Sequence, residues 1–263
     1  MTQGVEVQTS ESSGVKSARR TVELLETFAA HDAWLSLSEL HARTGFPRSS
    51  LHGLLRTLFD SGWLEADPGT ARYRLGLRAL LCGTAYLDRD AAMPYATETL
   101  EKVRERTGMT VHYARRDGTE VVYLETRESG RSTHLVSRVG RKLPAHSTAL
   151  GKALLAELTQ QEIAALYREP LRAFTPDTIT SLTALNADFE AARSRGYAAE
   201  VGEGLTEVRC VAAVVPYRIP GTDALSCSMP RDQVGDDEAH QVGLVVAEAA
   251  ADLGRRLRHA GIR

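Results

Sequence analysis

Residues 36–76 read SLSELHARTGFPRSSLHGLLRTLFDSGWLEADPGTARYRLG, and the order of start, stop and turn signals here decides the fold of the first part of the chain. Ser36-Leu37-Ser38-Glu39 has the S-x-x-E spacing of a capping box, where a hydroxyl and a carboxylate satisfy each other's backbone amides, and Thr44-Gly45 supplies the stop. Pro47 stands where the next helix opens. Leu51, Leu54, Leu55, Leu58 and Phe59 then recur at spacings of three and four, which predicts a core-facing helix over 48–60 closed by Gly62. Trp63-Leu64-Glu65, the turn Asp67-Pro68-Gly69 and Ala71-Arg72-Tyr73-Arg74-Leu75 alternate as a small hairpin does. Upstream, Val22, Leu25, Phe28 and Ala29 share one face of a first helix beginning at Ser17. Helix, helix, turn, helix, hairpin is the order of a winged helix-turn-helix, here over residues 15–76.

Charge in this unit is local. The stretch 40–59 holds His41, Arg43, Arg48, His52 and Arg56 with no Asp or Glu, and 68–87 adds Arg72, Arg74 and Arg78, again without an acid. The whole chain carries 32 Lys plus Arg against 34 Asp plus Glu, a net of -2, which excludes a polybasic coat for nucleic acid or membrane. Away from its leucine stripe the third helix presents Arg48, Ser49, Ser50, His52, Gly53 and Arg56. Short donors near a helix N-terminus with longer cations beside them suit a major groove, while Arg20, Arg72 and Arg74 flank the helix where phosphates would lie. Gly53 weakens a helix by about 1 kcal/mol relative to Ala, so it needs a reason: close approach to DNA, or close helix packing. A winged helix serving as a scaffold that binds protein is the alternative reading.

At 263 residues the chain exceeds one ordinary domain, and 43% hydrophobic with 25% charged residues is ordinary globular composition. Cys82, Cys210 and Cys227 are odd in number and form no C-x-x-C pair, which fits a reducing compartment and a cytoplasmic location. No run reaches the roughly 18 apolar residues of a membrane span, and residues 2–13 are polar, unlike a signal peptide, so no membrane partner is expected. Residues 1–14 read as a flexible arm. A connecting helix is predicted over 77–90, and Pro94 opens another that runs to Gly108. Strands are expected at 111–115, 120–125, 134–139, 197–201, 208–217 and 224–228, and helices at 148–157, 160–167, 181–195 and 236–257. Hairpins with segregated helices imply an α+β domain with an antiparallel sheet flanked by helices over 91–263.

Enzymatic motifs are weak. Gly151-Lys152 lacks the glycine five residues earlier and the following Ser or Thr of a phosphate loop, and neither G-x-S-x-G nor H-E-x-x-H occurs. His112, His134 and His146 have no metal-ligand spacing, so no metal and no cofactor is expected. Cys210 with His146 and Glu200 could form a thiol triad, although no spacing demands it. A small-molecule-binding enzyme therefore stands as an alternative to a binding protein.

Four stretches together carry a resemblance: Ser36-Leu37-Ser38-Glu39-Leu40, Pro47-Arg48-Ser49-Ser50 with Leu54-Leu55-Arg56-Thr57-Leu58, Tyr73-Arg74-Leu75-Gly76, and, most specific, residues 139–156, VGRKLPAHSTALGKALLA. With them the chain resembles the IclR-type bacterial transcriptional regulators from about residue 15 to 260. The resemblance implies a winged-helix DNA-binding domain, a linker helix and a GAF-like effector domain. It also implies a repressor that assembles as a dimer or tetramer on a palindromic double-stranded operator and is controlled by a small organic-acid metabolite. A dimer makes physical sense, since two recognition helices read half-sites about one helical turn apart. Matching the family's pocket implies Ala149, Leu150, Glu200, Val208, Cys210, Ser226 and Ser228 as effector-binding residues. Ser226 with Ser228, and Val208 with Cys210, lie two apart on strands and so share a face. Helix N-terminal amides beside Ala149 could hold an anion without a basic side chain. Glu200 would repel an anionic ligand unless protonated or bonded through a ligand hydroxyl, which points to a hydroxylated acid or a less charged effector.

Overall fold

The computed structural model describes residues 14–31, 33–129 and 139–263. The arm expected over 1–14 lies, except for Gly14, outside them. Residues 134–138 of the expected 134–139 strand lie outside them too, and Val139 stands in a turn. Two compact units divide the chain, Met1–Arg89 and Asp90–Arg263.

In the first unit, α1 (Lys16–Ala29) turns Leu24 and Phe28 inward. A two-residue strand, β1 (Leu35–Ser36), leads directly into α2 (Leu37–Thr44). The capping box forms: Ser36 Oγ accepts the Glu39 N–H at 3.3 Å and Glu39 Oε2 accepts the Ser36 N–H at 2.8 Å. Gly45, at φ 68°, ends α2 in the left-handed conformation that a glycine adopts without strain. After Pro47 comes α3 (Arg48–Asp60), which buries Leu51, Leu55 and Leu58 against Leu24, Phe28 and Leu40. The hairpin is β2 (Leu64–Ala66) and β3 (Arg72–Leu75), and β3 also pairs with β1, giving a three-stranded wing in the order β1-β3-β2. The third strand was not expected, because two residues carry no alternation to read. The unit continues into α4 (Leu77–Asp88), none of whose residues is buried.

The second unit opens with α5 (Met93–Thr107), closed by Gly108 at φ 70°. Six strands follow, β4 (Thr110–Asp117), β5 (Glu120–Arg127), β6 (Lys142–Pro144), β7 (Ala198–Val201), β8 (Val208–Val214) and β9 (Asp223–Pro230). They form one antiparallel sheet in the order β6-β5-β4-β9-β8-β7. Strand β6, at one edge, is the other element that sequence reading missed. Between β6 and β7 lie the helices α6 (Ala149–Leu155), α7 (Gln160–Leu166) and α8 (Leu182–Arg195), and α9 (Asp236–His259) completes the chain.

The two faces of the sheet are separated by strand alternation. On β9, Cys227 points toward Thr107 of α5, 4.0 Å away, so its neighbours Ser226 and Ser228 point the opposite way. Helices α5 and α9 pack on the first face. On the second, Ala114, Ala198, Ala212 and Ala224 pack with Leu150, Leu154 and Leu155 of α6 and with Leu185 and Phe189 of α8. These small strand residues let the helices sit close. The architecture is α+β throughout, with a winged helix-turn-helix ahead of an antiparallel sheet flanked by helices.

Candidate functional site

The exposed face of α3 carries Arg48, Ser49, His52, Gly53 and Arg56, on the side away from the buried leucines. Ser50 is half-buried and accepts a hydrogen bond from Arg20 Nη1 at 3.1 Å, while the Arg20 guanidinium lies 5.1 Å from the centre of the Phe46 ring. Arg20 therefore braces the start of α3. A Cβ added at Gly53 meets no atom within 4 Å, so helix packing within the protein does not require this glycine. Its cost to the helix is left to be explained by something that approaches from outside.

The wing arginines are engaged. Arg72 donates to the Trp34 carbonyl at 3.0 Å and lies 3.7 Å from Glu39, while Arg74 pairs with Glu65 at 2.7 Å and stacks over the Trp34 indole at 4.5 Å. Arg56 faces Asp60 at 3.7 Å. Acids flanking the acid-free stretches thus reach back to its cations. Such exposed pairs are worth at most about 1 kcal/mol each, little enough for a phosphate to compete.

In the second unit, Ala149, Leu150, Glu200, Val208, Cys210, Ser226 and Ser228 all line one cavity of about 450 Å³, between the sheet and the start of α6. Sequence reading missed several of its other lining residues, among them His112, Tyr123, Arg141, Ser147, Thr148 and Phe174. Arg141 is exposed and puts a cation at the cavity's edge, next to the neutral groups of its floor. The signal for Arg141 was present, since it lies inside the specific stretch 139–156. Ser147 and Thr148 lie in the same stretch, whereas His112 had no signal, as only the register of the sheet brings it there.

Gly151 and Lys152 have structural roles. A Cβ at Gly151 would stand 2.1 Å from the Ala145 carbonyl oxygen, so α6 crosses the turn before it only without a side chain. Lys152 is fully buried, and its ammonium pairs with Glu203 and, at 2.9 Å, with Asp188. Thr148 Oγ1 accepts the Gly151 N–H at 3.1 Å, so one of the helix-start amides considered for an anion is already used.

Burial sets the protonation of the floor. It holds His112 at about 4, with the Arg141 charge pushing the same way, so the imidazole is neutral. Glu200 is raised to about 7, chiefly by burial, against hydrogen bonds from the Glu203 N–H and the Cys210 thiol. Cys210 is raised well above the ordinary thiol range by burial and by Glu200, and so stays a thiol rather than a nucleophilic thiolate. The proposed triad does not assemble: His146 Nε2 bonds to the Arg172 carbonyl at 2.9 Å, and its ring packs against Tyr167 and Phe174. Ser147 Oγ is buried on the cavity wall and makes no hydrogen bond among the described residues. A buried orphan hydroxyl is rare in folded proteins. Among the described residues no group of three or more His, Cys, Asp or Glu side chains could hold a metal ion, and no helix is long and apolar enough to cross a membrane.

An exposed polar helix face and a cavity of about 450 Å³ on one chain invite comparison with known proteins. Residues 84–255 match the family described as bacterial transcriptional regulator IclR C-terminal, and residues 17–68 match the IclR helix-turn-helix domain. The chain belongs to the IclR family. It is a transcriptional regulator with a helix-turn-helix DNA-binding domain and a C-terminal effector-binding domain, and the family's members are regulators rather than enzymes. The chain is 33% identical over 245 residues to the HTH-type transcriptional regulator XynR of Escherichia coli K12, covering 92% of this chain and 97% of that one. To the transcriptional repressor IclR of the same organism it is 29% identical over 254 residues, covering 95% and 92%. Among solved structures, an IclR homolog from Microbacterium hydrocarbonoxydans complexed with 4-hydroxybenzoate superposes with a TM-score of 0.77 at 25% identity, covering 92% of this chain and 99% of that one.

Proposed function

We propose that this IclR-family regulator is a repressor that binds a palindromic operator as a dimer or higher oligomer and is controlled by a small organic acid held in the cavity over β9. The observation that carries the ligand reading is a cavity of about 450 Å³ lined by the polar side chains of His112, Ser226 and Ser228, with the Arg141 cation at its edge. An acid group suits Arg141, and neutral His112, Ser226 and Ser228 offer hydrogen bonds to the remainder of a ligand. The relative bound to 4-hydroxybenzoate supports the same class of ligand, an acid with a second polar group.

The nucleic-acid contacts in this reading are Arg48, Ser49, His52, Gly53 and Arg56 on α3, with Ser50 and Arg20 at its start and Arg72 and Arg74 on the wing. Helix α4 supports self-association: Leu77, Leu80, Leu81 and Tyr86 are all more than half exposed, and a second copy laid along the helix would cover them. It would then act as the linker, over 77–90, through which effector binding biases the separation of two winged helices. Work on chromosomal DNA gives the protein a cytoplasmic location.

The test is selection of genomic fragments by the purified protein, followed by sequencing and a salt titration on the best site. A palindrome whose binding falls with log salt by about 0.9 per phosphate contact is the expected result. A thermal-shift screen of small carboxylates then compares the native protein with Arg141→Ala and Ser147→Ala. No enriched site, either in the ligand-free protein or with any stabilising acid, would overturn the reading.

A further inference from the structure

Five neighbouring strands each contribute one polar side chain to a single row, of which Glu200, Cys210, Ser228 and His112 line the cavity, and the row steps diagonally from Ser228 to His112, which lies opposite Ser226. Glu200 on β7 is paired with Cys210 on β8, Cys210 with Ser228 on β9, and His112 on β4 with Thr126 on β5. Three contacts join the row: Cys210 Sγ and Ser228 Oγ are 3.2 Å apart, Ser228 Oγ and His112 Nε2 are 3.2 Å apart, and His112 Nδ1 and Thr126 Oγ1 are 3.1 Å apart. At its other end Glu200 stands directly opposite Cys210 across β7 and β8, where the thiol is the group placed to donate to its carboxylate.

Every member between the ends can both give and accept one hydrogen: a thiol, a hydroxyl and a neutral imidazole with one N–H and one bare nitrogen. Such a chain can be threaded in only two directions. With a proton on Glu200, the carboxyl O–H points to Cys210, the thiol to Ser228, the Ser228 hydroxyl to His112 Nε2, and His112 Nδ1–H to Thr126. With Glu200 ionised, the thiol turns to the carboxylate, Ser228 to the thiol, His112 donates from Nε2, and Thr126 donates to Nδ1.

We propose that this row is a hydrogen-bond relay that couples the ionisation of Glu200 to the tautomer of His112, so that the cavity offers a ligand one pattern of donors and acceptors when Glu200 is protonated and the reverse pattern when it is not. The protons balance. Between the two states one proton leaves Glu200 for solvent, while Cys210, Ser228 and Thr126 keep their hydrogens and turn them. His112 releases its Nδ1 proton and takes one on Nε2 by exchange with solvent.

The surroundings suit this role. Facing Glu200 are the Glu203 N–H at 2.9 Å, the Glu203 carboxylate, the Cys210 thiol, Tyr123 of β5, and Lys152 of α6, whose charge is shared with Glu203 and Asp188 of α8. Facing His112 are Arg141, whose charge opposes an imidazolium, and the Tyr123 ring, stacked at 4.8 Å. Near neutrality, therefore, Glu200 changes charge while His112 only exchanges tautomers. A consequence concerns ligands, and it rests on the reading of the cavity as the effector site. A ligand carboxylate that takes the Ser228 hydroxyl leaves Ser228 to accept from both Cys210 and His112. That draws the thiol away from Glu200, so an acid ligand enters with uptake of a proton.

The relay itself is tested without a ligand, so its failure is separate from any failure of the effector reading. Full-length protein labelled with 15N-histidine is titrated between about pH 5.5 and about pH 8.5, with the imidazole nitrogen shifts of His112 reporting which nitrogen holds the proton. In the native protein the proton is expected to pass from Nδ1 to Nε2 as the pH rises through about 7. The passage should be lost in Glu200→Gln and Cys210→Ala and retained in Cys210→Ser, which keeps a donor and acceptor in the row and shows that a folded variant can report. One tautomer across the whole range in the native protein, or a passage that persists in Glu200→Gln or Cys210→Ala, would overturn the proposal.

Discussion

Replacing Glu200 with Gln should reverse part of the protein's pH dependence of stability. Glu200 is raised from the ordinary 4.5 to about 7 by burial, so the folded protein holds a proton there that the unfolded chain has released. Stability from this group is therefore complete below the unfolded value and is lost as the pH climbs toward about 7. Each tenfold change in proton affinity is worth about 1.4 kcal/mol, so the ionised carboxylate costs the folded state about 3 kcal/mol above neutrality. Gln keeps an oxygen that can accept the Glu203 N–H and carries no charge, so it escapes this loss. The assay is urea unfolding of both proteins from about pH 4 to about pH 8, with the difference in unfolding free energy taken at each pH. Tryptophan fluorescence follows the wrong unit, because Trp34 and Trp63 both lie in the DNA-binding unit. The near-ultraviolet tyrosine signal reports on the effector unit, which holds Tyr95, Tyr113, Tyr123, Tyr167, Tyr197 and Tyr217. Glu200→Gln should gain about 3 kcal/mol on the native protein across that range, ending as the more stable of the two. A difference that stays constant with pH would refute the reasoning, since it would mean that Glu200 ionises in the folded protein as readily as in the unfolded chain.

Further outcomes follow from the same contacts. Gly53→Ala should stabilise the DNA-binding unit by up to about 1 kcal/mol in urea unfolding followed by tryptophan fluorescence, yet weaken operator binding; a gain in both would remove the argument for close approach to DNA. Arg48→Ala should reduce discrimination between operator and random DNA in a competition assay. Arg72→Ala should weaken binding to both about equally, and should also lower the stability of the wing by about 1 kcal/mol through the lost bond to the Trp34 carbonyl. Lys152→Met should destabilise the effector unit by about 3–5 kcal/mol, because Glu203 and Asp188 are left without their shared cation. A tyrosine-monitored melt matching that of the native protein would show that the buried ammonium is dispensable.

What could be read along the chain was whatever depends on near neighbours. The capping box at Ser36 and Glu39, the glycine stops at Gly45, Gly62 and Gly108, and the leucine spacing of α3 each act over a few residues, so a linear pattern was enough to order the elements of the winged helix and most of the sheet. The two strands that escaped, Leu35–Ser36 and Lys142–Pro144, are too short to show alternation. The seven predicted pocket residues came from the family resemblance, only Ala149 and Leu150 lying in its most specific stretch, and the fold brings all of them to one cavity. Other properties depended on tertiary structure alone. That Arg72 and Arg74 are tied to Trp34, Glu39 and Glu65 follows from how the wing folds back on its helices. That Gly53 faces open space, when helix packing would have explained it as well, needed the neighbours of α3 in three dimensions. The polar row from Glu200 to Thr126 joins residues up to 116 positions apart, because the sheet order β5-β4-β9-β8-β7 sets strands side by side that the chain separates widely. Strand register has a period of two and no local marker of its partner, so sequence alone could propose which residues share a face but not which face one another across the sheet.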